Sequence, residues 1–420
     1  MAYNAEIIAV GTELLLGSVV NTNARDLSEE LSGLGINVYY HTVVGDNPER
    51  LRQAVEIARG RADILITTGG LGPTYDDMTK ETLAGCFGKA LVYHPEIGEE
   101  IRAFFAHRLP GRAMPENNLR QAHLPEGAIV LENQRGTAPG CAFFAEGKHV
   151  IMLPGPPSEC RSMFRQAVVP YLKSLGDGEI LSHNIHIFGM GESAVEEKLA
   201  HVMAALQNPT LAPYAKTGEV MLRLTAKAQS REAAEALMAP VLEQVQETLG
   251  DMIYGVDTGS LEATVIQLLL NQKKTIATAE SCTAGLLSKR LTDIPGASAA
   301  FLGGVSAYAN QAKTVFLGVE ESLLIQAGAV SEAVARAMAE GVRDRLGTDF
   351  GIGITGIAGP GGGTEEKPVG TVFVALAADG GEVFVRRLNL GDDRNRIRIM
   401  AAHHGLDMVR RRMTGKAVTT

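Results

Sequence analysis

The sequence contains no tryptophan, and phenylalanine and tyrosine bring the aromatic share to only 5%. Glycine is abundant instead, at 47 residues, and 45% of the chain is hydrophobic. That balance suits α/β domains with many strand-to-helix turns around real cores. Positive charge is not in excess: 39 lysines and arginines face 48 aspartates and glutamates, a formal net charge of −9 and a pI of about 5.7. A non-specific nucleic-acid binder is usually basic, so no stable DNA or RNA partner is expected. Cysteine is sparse: Cys86, Cys141, Cys160 and Cys282 fit neither a zinc pattern nor a disulfide framework, and free thiols in a reducing cytosol are expected. Long apolar runs are missing, since Leu261–Leu270 is too short to span a bilayer. No signal peptide is expected, because Glu6 and Glu13 interrupt the first apolar run and no basic region precedes it. The expectation is a cytoplasmic protein without a membrane partner. Repeats are also absent, and 420 residues suggest two or three domains.

What is present begins with alternation. Ala5–Val10 reads as a buried strand ending in Gly11-Thr12-Glu13. Asn21–Asn23 offer caps for a helix bearing Leu27, Leu31 and Leu34, stopped by Gly35. Val38–Val44, a helix opened by Pro48, and Asp63–Thr67 complete βαβαβ, which predicts a right-handed, largely parallel, doubly wound sheet. The third strand runs into Thr68-Gly69-Gly70-Leu71-Gly72-Pro73-Thr74-Tyr75-Asp76-Asp77, with a helix from about Met78. Ligands on such sheets bind beyond the carboxyl ends of strands, where this loop falls. Its glycines permit close approach to phosphate, and Asp76 and Asp77 could hold a hard divalent cation. A plain glycine turn with an aspartate N-cap is the other reading. Leu153–Glu159 (LPGPPSE) is a stiff turn into a helix, Cys160–Leu175, and shapes a pocket rather than doing chemistry. His94, His107 and His123 lack metal-ligand spacing.

Gly176-Asp177-Gly178 and Asp257-Thr258-Gly259-Ser260 mark two joints. Between them a strand, Ile180–Phe188, a helix, Glu192–Ala205, a strand, Glu219–Ala228, and a helix, Arg231–Leu249, form a small α+β module. Beyond, helix and strand alternate again, predicting a second α/β layer domain. There Thr275–Thr278 reads as a strand entering Ala279-Glu280-Ser281, with a helix from Cys282 to about Leu291. Ser281 would lie at a helix N-terminus, either as a cap or as a nucleophile whose oxyanion the free N–H groups hold. Tyr308 and Lys313 follow the apolar run Phe301–Ala307, and a buried lysine can serve a serine as base. Phe350–Gly363 is a strand running into a glycine-rich loop that can cradle phosphate. No histidine lies between Asp251 and Ala402, which disfavours Cys282 as a histidine-assisted nucleophile. Arg394, Arg396 and Arg398 are either a phosphate fork or a solvated charge cluster after Asp392-Asp393.

AESCTAG, YANQAK and TGIAGPGGGTEEKPVGTV, in that order, resemble the nicotinamide-nucleotide amidohydrolase domain of the CinA (competence/damage-inducible) family. GTELLLG, NTN, GGLGPTYDD and LPGPPSE resemble the molybdopterin-binding-like domain that opens such proteins, and the middle module is similar to their KH-like module. The resemblance thus covers the chain, dividing it into residues 1–176, 177–257 and 258–420. It implies deamidation of nicotinamide mononucleotide to nicotinate mononucleotide and ammonia, without a cofactor. Ser281 would attack, Lys313 would take its proton and Tyr308 would orient or relay. Cys282, Thr283, Thr355, Gly356, Gly359, Gly361, Gly362 and Arg394 would hold the substrate. For the first domain it implies hydrolysis of the pyrophosphate of ADP-ribose to AMP and ribose 5-phosphate. Asp76 and Asp77 would bind magnesium, cobalt or manganese, with potassium a further candidate. Glu13, Asn21, Gly69, Gly70, Gly72 and Thr74 would surround that substrate, and a homodimer is implied. One departure is Ala284, where the family usually has glycine; at a first helical turn alanine would be the better helix former. The middle module lacks the GXXG loop of RNA-binding KH folds and carries Glu192 after Gly189-Met190-Gly191, so it reads as a spacer or dimer contact. The rival expectations are a non-catalytic scaffold in DNA uptake, and an amidase whose first domain only binds a pterin.

Overall fold

A computed structural model describes residues 3–108, 113–175, 178–391 and 393–418; Gly176 and Asp177 of the first joint, and Asp392, lie outside the described residues. The chain divides into two compact units, Met1–Leu181 with Ala226–Ala236, and Ser182–Thr225 with Leu237–Thr420. Most of the middle module therefore shares a unit with the C-terminal domain. No helix among the described residues is long and apolar enough to cross a membrane.

The first unit is built on a six-stranded sheet in the order Asn37–Val44, Asn4–Val10, Ile64–Thr68, Lys148–Leu153, Gly140–Ala145, Ile129–Leu131. The first four strands are parallel and the last two antiparallel. Ile64–Thr68 is buried along its whole length, as its unbroken apolar run demands of a strand covered on both faces. The helix Thr22–Gly33 packs Ala24, Leu27 and Leu31 inward, and Asn21 caps it by accepting from the Ala24 N–H at 3.1 Å. The helix Pro48–Arg59 does the same with Leu51, Val55 and Ala58. The sheet therefore presents Gly11, Gly69 and Pro154 side by side just past its carboxyl ends.

In the second unit, a four-stranded sheet runs Thr210–Lys216, Glu219–Ala228, Glu179–Phe188, Ile253–Val256. Thr210–Lys216 carries Pro213 and sits at the edge, where a missing backbone donor is tolerated. A five-stranded sheet runs Phe301–Ser306, Ile276–Glu280, Phe350–Gly356, Thr371–Ala377, Val383–Asn389. Its first three strands are parallel and the rest antiparallel. The helices Leu261–Gln272, Glu332–Leu346 and Arg394–Met413 cover it. Asp407 on the last of these is buried and accepts from Arg386 at 2.9 Å, Arg410 at 2.6 Å and Arg411 at 3.0 Å. Arg410 also donates to the carbonyl of Asp251, and Arg386 to that of Val418. One carboxylate thus ties the last helix to the end of the middle module and to the C-terminal tail.

Candidate functional site

Ser281 follows the central parallel strand of the five-stranded sheet. Its N–H donates to Ile354 O at 2.9 Å, and Ala307 N donates to Glu280 O at 2.8 Å. This register places Ser281 between the ends of Phe301–Ser306 and Phe350–Gly356, so Tyr308, Thr355 and Gly356 gather beside it. Lys313 faces inward from the helix Asn310–Leu317. Ser281 is only 8% exposed, and its hydroxyl has no hydrogen-bond partner among the described residues. Lys313 is 1% exposed, donates to Tyr308 O at 3.2 Å and meets no carboxylate among the described residues. Burial lowers its pKa below the ordinary lysine value, and a small opposing effect comes from the neighbouring Cys282. The Tyr308 side chain is 63% exposed; what it offers Lys313 is its backbone carbonyl.

The helix expected from Cys282 begins instead at Leu286. Residues Cys282–Gly285 form a turn, closed by the buried carboxylate of Glu280. That carboxylate accepts from the N–H groups of Gly285 at 3.1 Å, Leu287 at 3.0 Å and Ser288 at 2.8 Å, and from Ser288 Oγ at 2.7 Å. It consumes the free donors of the helix end, so no oxyanion site is left there. The N–H groups of Cys282 and Thr283 make no hydrogen bond among the described residues, which leaves them for an incoming anion. Burial pushes the Cys282 thiol up to about 11. Ala284 is therefore not in a helical turn: its φ is +48°, the left-handed region that disfavours a Cβ by ~1 kcal/mol. Ala284→Gly should raise the melting temperature of the second unit, worth about 0.5–1 kcal/mol after the entropy of glycine is counted; an unchanged or lower transition in calorimetry would contradict this.

The glycine loop is anchored from the last helix. Arg394 Nη1 donates to Gly359 O at 2.6 Å. One turn later Arg398 Nη2 donates to Thr283 O at 2.8 Å. Neither guanidinium pairs with a carboxylate among the described residues, and Arg398 Nε and Thr283 Oγ1 are buried without partners. Arg398, rather than Arg394, reaches the nucleophile turn; their i, i+4 spacing, which puts both on one helix face, was the signal for it. Thr355 donates its hydroxyl to Ala329 O at 2.7 Å. Gly356 abuts Val372 and Thr371, while Gly361 and Gly362 are exposed beyond it.

In the first unit, a cavity of about 580 Å³ opens past the carboxyl ends of the strands. Glu13, Gly69, Gly70, Gly72, Asp76 and Asp77 line it, together with Asp46, Arg135 and Glu159. Thr74 is not among the lining residues, and Asn21 serves as the helix cap described above. Gly69 and Gly70 have φ of +95° and +67°, and a Cβ there would strike Val10 O and Thr79 Oγ1 respectively. The aspartates do not cap the following helix, whose N-cap is Met78. Both instead converge on Thr74: its Oγ1 lies 2.5 Å from Asp76 Oδ1 and 2.5 Å from Asp77 Oδ2, and its N–H donates to Asp77. The Thr74 hydroxyl bond, with the backbone, holds the Asp76 carboxyl below its usual range. Thr74 engages one oxygen of each carboxylate, and Asp76 Oδ2 and Asp77 Oδ1 make no hydrogen bond among the described residues, which leaves them for a cation. No three acidic, histidine or cysteine side chains surround a common point among the described residues. This fits an ion held by one or two carboxylates, with water and ligand oxygens completing its shell.

With that geometry in place, the comparisons fall on all three parts of the chain. Residues 6–174 match the family described as a probable molybdopterin binding domain, residues 182–255 the damage-inducible protein CinA KH domain, and residues 258–413 the CinA C-terminal domain. A CinA-like protein of Kosmotoga olearia is 51% identical over 97% of this chain and 98% of its own length. A putative competence-damage inducible protein of Acetivibrio thermocellus is 48% identical over 97% of this chain and 98% of its own. A crystal structure of the competence/damage inducible protein CihA from Agrobacterium tumefaciens is 41% identical, covering 36% of this chain and 91% of that one with a TM-score of 0.35. The chain belongs to the CinA family.

Proposed function

We propose that this protein is a bifunctional hydrolase of pyridine-nucleotide salvage. The C-terminal domain deamidates nicotinamide mononucleotide, and the N-terminal domain cleaves ADP-ribose. The observation that carries the first activity is the buried amine of Lys313, paired with no carboxylate among the described residues and neighbouring Cys282, in the turn that also carries the uncommitted Ser281 hydroxyl. Ser281 Oγ attacks the carboxamide carbon while Lys313 Nζ takes its proton. The N–H groups of Cys282 and Thr283 bind the oxyanion. The proton then passes to the departing nitrogen as the C–N bond breaks and ammonia leaves. Water hydrolyses the acyl-serine, releasing nicotinate mononucleotide and restoring Ser281. The direct test is ammonia release from nicotinamide mononucleotide by the purified chain. No release above a Ser281→Ala control would end this reading.

The unpaired guanidiniums supply the positive charge for the substrate phosphate, with Arg398 the nearer to the turn. Arg398→Ala should raise KM for nicotinamide mononucleotide roughly tenfold or more. Arg394→Ala should do less, and both effects should vanish with nicotinamide riboside, which lacks the phosphate. Equal losses on the riboside would show the arginines to be scaffolding.

For the first unit, five carboxylates against one guanidinium in the cavity lining would repel a pyrophosphate unless a cation intervened. Asp76 and Asp77 would hold a divalent metal, which would supply that neutralisation. Asp76→Asn or Asp77→Asn should abolish ADP-ribose cleavage and leave amidase activity intact. Full-rate cleavage by chelator-treated protein would remove the metal from the mechanism. We place the protein in the cytoplasm as a homodimer without a nucleic-acid partner, on the strength of its acidic charge and its family.

A further inference from the structure

The middle module meets the C-terminal domain through a buried carboxylate. Its strands Thr210–Lys216 and Glu219–Ala228 are joined by the two-residue turn Thr217-Gly218, which puts Glu219 beside the tip of the hairpin. The turn lies against the helix Arg394–Met413: a Cβ on Gly218 would come within 2.4 Å of Met400 Sδ and 3.4 Å of His403 Nδ1. Glu219 Oε1 lies 3.2 Å from His403 Nε2, with the two side chains 13% and 5% exposed. His403 Nδ1 donates to Ile399 O at 3.0 Å, and its ring stacks on Phe188 of the same module, 5.6 Å between centroids. Phe188 and Tyr254 of the module share one hydrophobic core with Ile397, Ala401 and Leu406 of the helix.

A carboxylate is a costly way to join surfaces that are otherwise apolar. Burial alone would raise the Glu219 carboxyl, but His403 and Arg290 outweigh it and hold the pKa below its usual range. What the charge secures is the helix. Arg394 and Arg398, which reach Gly359 O and Thr283 O, stand on its first two turns. At about 100° and 1.5 Å per residue, His403 lies on roughly the opposite side of the helix from both, about 8 Å further along than Arg398. The helix is thus held between the middle module on one side and the nucleophile turn with the glycine loop on the other. The Asp407 network anchors the same helix one turn further on, so Glu219 acts closer to the two arginines.

We infer that Glu219 is a positioning residue for the C-terminal site: from the middle module, through His403, it sets the helix that aims Arg398 and Arg394 at the substrate phosphate. This rests on the deamidase reading for the identity of that phosphate. The module is then a working part of the site as well as a spacer. Glu219 touches no substrate. Its removal frees the helix to shift on the side away from the site, and the arginines shift with it. A guanidinium fork that must meet two oxygens at once is sensitive to such a displacement.

The test is made on the full chain with two readouts. Hydrogen–deuterium exchange reads the clamp without substrate: Glu219→Ala should quicken exchange in residues 397–403 of the helix and in the glycine loop, residues 356–363. Ammonia release reads the consequence. Glu219→Ala should raise KM for nicotinamide mononucleotide roughly fivefold or more at near-constant kcat. It should leave nicotinamide riboside unaffected and add little in an Arg398→Ala background, as coupled positions do. Leu222→Ala is the control for plain destabilisation: Leu222 is buried on the same strand and points to the opposite face of the sheet from Glu219. It should lower the melting temperature without the KM change. Should Glu219→Ala fail to fold, Glu219→Gln, which keeps the volume and removes the charge, carries the same expectations in smaller measure. Exchange that quickens only in the hairpin would overturn the inference. So would an unchanged KM, an equal loss on the riboside, full additivity with Arg398→Ala, or the same KM rise in Leu222→Ala. If the wild type releases no ammonia, the deamidase reading falls and the exchange pattern alone decides whether Glu219 sets the helix.

Discussion

Ser281→Ala and Lys313→Ala should each lower ammonia release from nicotinamide mononucleotide on the order of 10⁴-fold, and the double variant should be little worse, because the proposed nucleophile and base act as one unit. Cys282→Ser should keep most activity: burial holds that thiol protonated, and the stretch from Asp251 to Ala402 has no histidine to assist it. The pH profile follows from the sign of the lysine shift. Only the neutral amine can accept the serine proton, so the rate rises as pH passes through the Lys313 pKa. Burial puts that pKa below the usual 10.5, which brings the rise toward neutrality. Lys313→Arg, always charged, should be inactive across the range. An enzyme silenced by Cys282→Ser but not by Ser281→Ala would make the thiol the nucleophile and reduce Ser281 to a turn residue.

Asp407→Asn should be among the most damaging substitutions in the second unit. It leaves Arg386, Arg410 and Arg411 buried without their shared carboxylate. Breaking a buried ion network from one side costs about 3–5 kcal/mol, which corresponds to a fall in melting temperature on the order of 10 °C. The pH dependence has a definite direction. Burial alone would raise the Asp407 carboxyl, but Arg410 and Arg386 outweigh it and hold the pKa below its unfolded value. The network's contribution is thus present above the ordinary aspartate range and is lost as pH falls through the depressed folded pKa. An Asp407→Asn protein melting within about 2 °C of the wild type would mean the arginines find other partners.

The parallel sheets were legible because strands such as Ile64–Thr68 are covered on both faces and so read as unbroken apolar runs. The helices that pair such runs announce themselves by caps, as Asn21 and Ser331 do. What stayed hidden depends on single side chains folding back on the main chain. Periodicity alone could not tell that Glu280 would terminate a turn and delay the helix to Leu286, because the pattern of Leu286, Leu287 and Leu291 is the same either way. The edge strand Thr210–Lys216 escaped notice because Pro213 argues against a strand except at an edge, and edges are a property of the whole sheet. The cavity past the first sheet carries no local signature at all: it is assembled from distant segments.

The closed turn around Glu280 also bears on redox exposure. A sulfur beside a nucleophile is usually the weak point of an amidase, since its thiolate is what peroxide and alkylating agents attack. Here the helix end that would stabilise a thiolate is already neutralised by the Glu280 carboxylate, and the thiol is 5% exposed. With the Cys282 thiol held at about 11, only roughly one molecule in 10⁴ is ionised at neutral pH. A hydroxyl nucleophile with an amine base contains nothing that a mild oxidant converts. The deamidation proposed for this turn would therefore be insulated from oxidants that would stop a cysteine enzyme working at the same carbon.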